Sequence, residues 1–370
     1  MNKKTNLIYT VITYIVTLSL IFVCAVLVGK FYTIPSAIAM LPYLLIGLVV
    51  FGFINALFHE LGHFIAGKRN GFILSTFSVW FFKWKKVGKK TRFSLCFSME
   101  EWGATEMIPD SEENMAKRLK KLSLGGIIAS GITCLISIVP LFLHFLLVKE
   151  VYCIFIMWLP ISAYYLFNNG LPIMNSVGVC NDGGVVYGIV KNTDDSVVNV
   201  SLLKIHAQLY QGKTPSQIPE EYYFNLPQLR EDSLTFITLL NARYNYYLDK
   251  EDFDGANKTL KRLETLLDYM PPSVKNTVKV DLLYSYCTFN YNEDKADELM
   301  YELEKYLSNR NETIEVRTKL AYLLKVVKEV EDAQIFVKKL RREINRHQIS
   351  GLAKMEEKLL TELIKDHPNL

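Results

Sequence analysis

The one stretch whose residue types and spacing could do chemistry reads Phe58-His59-Glu60-Leu61-Gly62-His63-Phe64. On a helix, residues four apart share a face, so His59 and His63 can present two imidazoles to one metal ion. Glu60, one residue on, can reach a water at that ion without being a ligand itself. Zinc suits such a set, because two neutral imidazoles and a third protein ligand leave one position open for water, whose pKa the metal lowers toward about 7. The motif closes a stretch, 31–58, that holds no Asp, Glu, Lys or Arg. Two histidines and a glutamate at the end of an apolar span are costly to keep unless partnered or functional. A polar helix end that only touches lipid headgroups is the plainer alternative.

Three further stretches lack charge, 5–29, 122–148 and 151–181. Each of the four is long enough to cross a hydrocarbon core that needs roughly 20 residues. The 370 residues carry 42 Lys and Arg against 38 Asp and Glu, a net +4. Up to residue 190 there are 16 basic and 9 acidic side chains, and beyond it 26 and 29. The first half therefore reads as a membrane protein and the second as a soluble one, which excludes an ordinary soluble enzyme. The first run has no small-residue cleavage pattern and is expected to stay as a transmembrane helix. Cysteines 24, 96, 134, 153, 180 and 287 show no paired spacing and read as reduced packing residues. Twelve Lys and Arg lie between Lys68 and Lys121, against one each in the connections at 30–36 and 149–150. That asymmetry places residues 1–6, 68–121 and everything after about 182 in the cytoplasm, with four spans between.

A third ligand is still needed. The last apolar run ends Leu166-Phe167-Asn168-Asn169-Gly170-Leu171-Pro172, and Asn181-Asp182-Gly183-Gly184 follows. Gly170 and Pro172 break a helix where it should leave the bilayer. The second and fourth spans both run inward, so Asp182 is the acid of that inner flank able to meet the histidines. An ordinary turn is the plainer alternative for the same four residues.

His-Glu-Leu-Gly-His on one span, followed by Asn-x-x-Pro and Asp-Gly on another, resembles the site-2 protease family of intramembrane zinc metalloproteases. Leu122 to Gly131 also resembles the glycine-containing start of that family's middle core helix. The resemblance covers about residues 37–190. It implies that His59, His63 and Asp182 bind Zn2+, that Glu60 is the general base, and that Asn169 helps hold the substrate backbone. The gap between Asn-x-x-Pro and Asp-Gly is longer here than the family's usual few residues. A rival family of metallopeptidases, with the same histidine motif beside membrane helices, takes a glutamate from a downstream Glu-x-x-x-Asp helix. Here only Glu106 and Asp110 have that spacing, and Pro109 disfavours a helix between them.

Two β-type runs within 72–98, around Lys-Lys-Val-Gly-Lys-Lys, predict a cytoplasmic β-hairpin. Its Trp80, Phe81, Phe82 and Trp84 suit the bilayer interface. In the resembled family a sheet in this position lies near the active site, where an exposed edge could pair with an unwound substrate strand; a simple anchoring role is the alternative. His144, some 22 residues into the third span, is expected near the outer face and is refused as a ligand. Gly126 and Ser130 have the small-xxx-small spacing of close helix packing.

In the second half Ala256, Ala296 and Ala333 each begin a stripe with offsets of 4, 7 and 11. This resembles tetratricopeptide-type helical hairpins with lengthened connections, although an irregular helical domain would also carry such stripes. The mixed charges argue against nucleic-acid binding. The expected fold is an all-α polytopic membrane protein with four transmembrane helices and one hairpin region, followed by a soluble α-helical repeat domain. Expected units are an N-terminal span and loop (1–36), a metalloprotease core (37–190), a linker (191–227) and a cytoplasmic repeat domain (228–370). The expected function is cleavage of a membrane-spanning or small hydrophobic precursor peptide near the cytoplasmic face of a bacterial cell membrane. The repeats would bind a cytosolic protein or peptide. A catalytically idle membrane receptor with the same repeats is the alternative; Glu60, which metal binding does not require, favours the enzyme.

Overall fold

A backbone in hydrocarbon must satisfy its polar groups internally, so charge-free runs of this length fold as helices. A computed structural model describes residues 3–32, 37–88, 90–96, 103–175, 178–367 and 369–370. Among the described residues, four segments are long and apolar enough to cross a membrane: Lys4–Phe31, Ala39–Arg69, Met115–Phe142 and Lys149–Gly170. They comprise α1 (Lys3–Phe31), α2 (Ala37–Arg69), α3 (Met115–Ile136), α4 (Lys149–Ile156) and α5 (Trp158–Gly170). The third and fourth are not continuous α-helices. After α3 the chain tightens into a 3-10 turn over Val139–Phe142, where Pro140 withdraws a backbone donor. The fourth breaks at Met157, and Pro160 lies in the first turn of α5, where its missing N–H costs nothing.

The region between α2 and α3 is more than the hairpin expected from sequence. It is a four-stranded antiparallel sheet of β1 (Phe72–Val79), β2 (Phe82–Val87), β3 (Lys90–Leu95) and β4 (Gly103–Pro109), in the order β3-β2-β1-β4. The first run is split at Trp80, which takes a positive φ of 53° and lets Val79 pair with Phe82. β4 falls where the sequence reading placed no strand, and Phe97 and Ser98 lie outside the described residues. Phe53 of α2 meets the rings of Trp80 (5.7 Å) and Phe82 (6.0 Å). Phe53 precedes His59 by six residues, about 9 Å of helix, so the hairpin tip reaches further along the span than the histidine motif does.

Helices α2 and α3 touch backbone to backbone. A Cβ on Gly62 would lie 2.7 Å from Ala129 Cβ and closer still to the Gly125 carbonyl oxygen; a Cβ on Gly125 would meet the Gly62 carbonyl in the same way. Only glycine at both positions permits that approach.

The second half continues through α6 (Asp182–Lys191), α7 (Asp194–Tyr210), α8 (Glu221–Phe224), α9 (Leu234–Asp249), α10 (Phe253–Glu264), α11 (Pro272–Cys287), α12 (Glu293–Ser308), α13 (Thr313–Tyr322), α14 (Val330–Ile344) and α15 (Ser350–Leu363). The segment 191–227, expected as a linker, holds α7 and α8, and Ala207 of α7 packs with Phe72 and Met115. The stripe residues Ala256, Leu260, Leu263, Ala296, Leu303, Leu307, Ala333, Val337 and Leu340 are buried in one core. Arg317, 1% exposed, pairs inside it with Glu356 (2.6 Å) and Asp281 (3.4 Å). This half also grips the sheet: Lys85 Nζ lies 2.5 Å from Glu312 Oε1, and the Gly88 N–H donates to the Arg346 carbonyl (3.1 Å).

Gly125→Val should force α2 and α3 apart at a cost of about 1–3 kcal/mol, read as a lower unfolding midpoint of the detergent-purified protein. An unchanged midpoint would show that the seam is not load-carrying for stability.

Candidate metal centre

His59 and His63 sit one turn apart on α2, facing α3. The His59 Nδ1 lies 3.1 Å from the Gly126 carbonyl oxygen and 2.9 Å from Ser130 Oγ. His63 Nδ1 lies 3.0 Å from the Leu122 carbonyl oxygen. A carbonyl only accepts, so each Nδ1 carries a proton, and a ring that is neutral then turns the lone pair of Nε2 the other way. Both lone pairs point at one spot: the two Nε2 atoms are 3.1 Å apart, and Asp182 Oδ2 lies 3.2 Å from that of His59 and 3.0 Å from that of His63.

Asp182 reaches that spot because its neighbour ties two helix ends together. Asn181 caps α6, accepting from the Gly184 N–H (2.8 Å) and from the Ile173 N–H (3.1 Å). Its amide donates to the Leu171 carbonyl (2.8 Å) and to that of Asn168 at the end of α5. The described residues between Pro172 and Asp182, 173–175 and 178–181, are held together by a bridge between Met174 and Cys180.

Three unprotonated donors within about 3 Å of one another repel unless a cation lies among them. Ligands held at roughly 2.0–2.1 Å around tetrahedral zinc would stand about 3.3 Å apart, close to the spacing here. His59, His63 and Asp182 therefore fit a metal ion, and they form a group of three whose ligand atoms lie within 4.8 Å. Gly126 allows it sterically, since a Cβ there would lie 2.7 Å from His59 Cε1. Glu60 is 7% exposed, and its Oε2 accepts a 2.6 Å hydrogen bond from Thr105 of β4.

The structure thus brings together four of the five residues singled out from sequence. Asn169 is the exception: its amide donates to the Tyr165 carbonyl one turn back (3.0 Å). His144 stacks on Phe31 (3.7 Å) at the last residue of α1. Asn6, near the other end of α1, meets the loop before Asp182, so the 25 helical steps from Asn6 to Phe31 put about 37 Å between them. The rival glutamate arrangement has no helix to use, because Glu106 lies on β4 opposite Thr76 and Asp110 is paired with Arg118 (2.5 Å). Sequence reasoning missed Thr105, which carries no local signal, and read Ser130 only as a packing residue.

An apolar bundle carrying two histidines and an aspartate with a buried glutamate beside them defines a membrane metallopeptidase by class. The chain matches the model of peptidase family M50 over residues 44–363 and belongs to that family, the site-2 protease family of membrane metalloproteases. Its members are in general zinc-dependent. The match extends through α15 and leaves α1 outside. Neither a curated protein nor a solved structure matches the chain.

Ser130→Ala removes one of two acceptors on His59 Nδ1 and should weaken zinc binding about tenfold; Gly126→Ala, pressing on both rings, should weaken it about a hundredfold or more. Competition titration against a chromophoric chelator measures both, and equal affinity in all three proteins would contradict the assigned tautomers.

Proposed function

We propose that the protein is an intramembrane zinc endopeptidase that cuts a membrane-spanning or small hydrophobic precursor peptide near the cytoplasmic face. The observation that carries this is the convergence of His59, His63 and Asp182 beside a buried Glu60 that binds no donor of that group. His59, His63 and Asp182 would hold the zinc. When bound, zinc supplies Lewis-acid activation of water and of the scissile carbonyl. Glu60 takes a proton from the attacking water and later delivers it to the leaving amine. Thr105 holds one Glu60 oxygen, which fixes the carboxylate's direction and leaves the other oxygen for the proton.

Substrate delivery follows from the sheet. β4 is an edge strand, and Thr105 on it touches Glu60. An unwound peptide adding to the outer side of β4 would be delivered alongside the base. Asn169, in the last turn of α5, keeps a substrate-binding role in this reading. The positive asymmetry of the loops supports a cytoplasmic N-terminus, sheet base and second half. There the helical half, read as tetratricopeptide-like, would recruit a cytosolic protein or peptide. Its grip on Lys85 and Gly88 supports a route from such a partner to the sheet.

Glu60→Gln should keep zinc within about threefold of wild type and abolish cleavage, while Asp182→Ala should lose zinc. Sequencing of new N-termini in membranes of cells expressing each form tests this: termini inside apolar spans should appear with wild type alone. Cleavage surviving in Glu60→Gln would remove the proposed base. Thr105→Val should slow cleavage about 10- to 100-fold with zinc unchanged, and equal rates would limit Thr105 to packing.

A further inference from the structure

The loop that delivers Asp182 is held from a second side by a helix outside the family match. The Asn6 side-chain amide of α1 donates to the Met174 carbonyl, and its oxygen accepts from the Met174 N–H, both at 2.8 Å. One side chain thereby satisfies both polar groups of one backbone residue, as a neighbouring strand would. Met174 is the residue whose bridge to Cys180 closes the loop, and Cys180 stands two positions before Asp182. On its other side the loop is tied by Asn181, which bonds Ile173 through its side chain and through its own N–H (3.0 Å). Ile173 and Met174 are therefore fixed from two directions, and Asp182 inherits that placement. Asn6 is the second residue of the first charge-free run, 5–29, and its pairing with Met174 satisfies both ends of its amide.

We propose that Asn6 is a positioning residue for the metal centre: by holding Met174 it sets the place of Asp182 and so the affinity of the zinc site. The proposal rests on the zinc reading given above. It also assigns α1 a role in the site, although α1 supplies no ligand. Loss of Asn6 leaves both polar groups of Met174 without their partner, loosens the Met174–Cys180 bridge, and lets the aspartate drift from the two imidazoles. Such outer positioning groups are commonly worth 10- to 100-fold in metal affinity.

The test compares full-length wild type, Asn6→Leu and Asp182→Ala in detergent. Zinc affinity is read by chelator competition, and the visible bands of the cobalt-substituted protein report the ligand geometry. In the metal-free protein, Cys180 labelling by a maleimide is followed by mass spectrometry, with the buried Cys24, Cys153 and Cys287 as internal controls. Asn6→Leu should bind zinc about tenfold more weakly, change the cobalt bands, and label faster at Cys180 alone. Zinc affinity equal to wild type, unchanged Cys180 labelling, or faster labelling of all four cysteines would each overturn the proposal, the last by showing general loosening. Wild type binding zinc no better than Asp182→Ala would instead sink the zinc reading, and this proposal with it.

Discussion

Three electron-pair donors of like character have to be held within about 3 Å of one another at the end of an apolar helix. Left alone they would turn apart or take up protons, so every neighbouring element works against their separation. The histidines cannot rotate, because each Nδ1 is engaged by a carbonyl of α3. Those carbonyls are in range only because α2 and α3 meet at glycines, a seam that also leaves the histidine rings no Cβ to displace them at position 126. Small residues in the seam and polar order in the site are thus one requirement seen twice.

The carboxylate poses a different problem, since it belongs to a short helix entered from a loop and not to a membrane-spanning one. Loops hold position through side-chain hydrogen bonds to backbone, and here two asparagines divide that work. Asn181 joins the end of α5 to the start of α6, and Asn6 reaches across from α1. Asparagine suits both places because one amide offers a donor and an acceptor in fixed geometry. Glu60 is fixed from a third quarter, by a threonine on an edge strand. The strand lies against α2 because aromatic rings of the hairpin tip pack on Phe53.

The helical second half is not a separate appendage. It binds the hairpin end through Glu312 and Arg346, and the chain beside β4 through Glu112, which accepts from Tyr222 (3.1 Å). The sheet therefore stands between the helical half and Glu60, with one end in contact with each.

Much of this was legible in the residues themselves. Charge-free runs gave the four spans, because hydrocarbon permits little else. The spacing of His59 and His63 gave one shared face, because the helical period is fixed. The stripes from Ala256, Ala296 and Ala333 gave buried helix faces for the same reason. What the residues by themselves did not determine is every contact made between elements distant in sequence. β4 was hidden because its seven residues show neither strict alternation nor turn signals at both ends. Thr105, Ser130 and Asn6 are common residues whose role depends on a partner 45, 71 and 168 positions away. Sequence fixes periodicity and polarity, which are local properties of a chain; only the packed structure decides which carbonyl faces which imidazole, and a metal site is made of those choices.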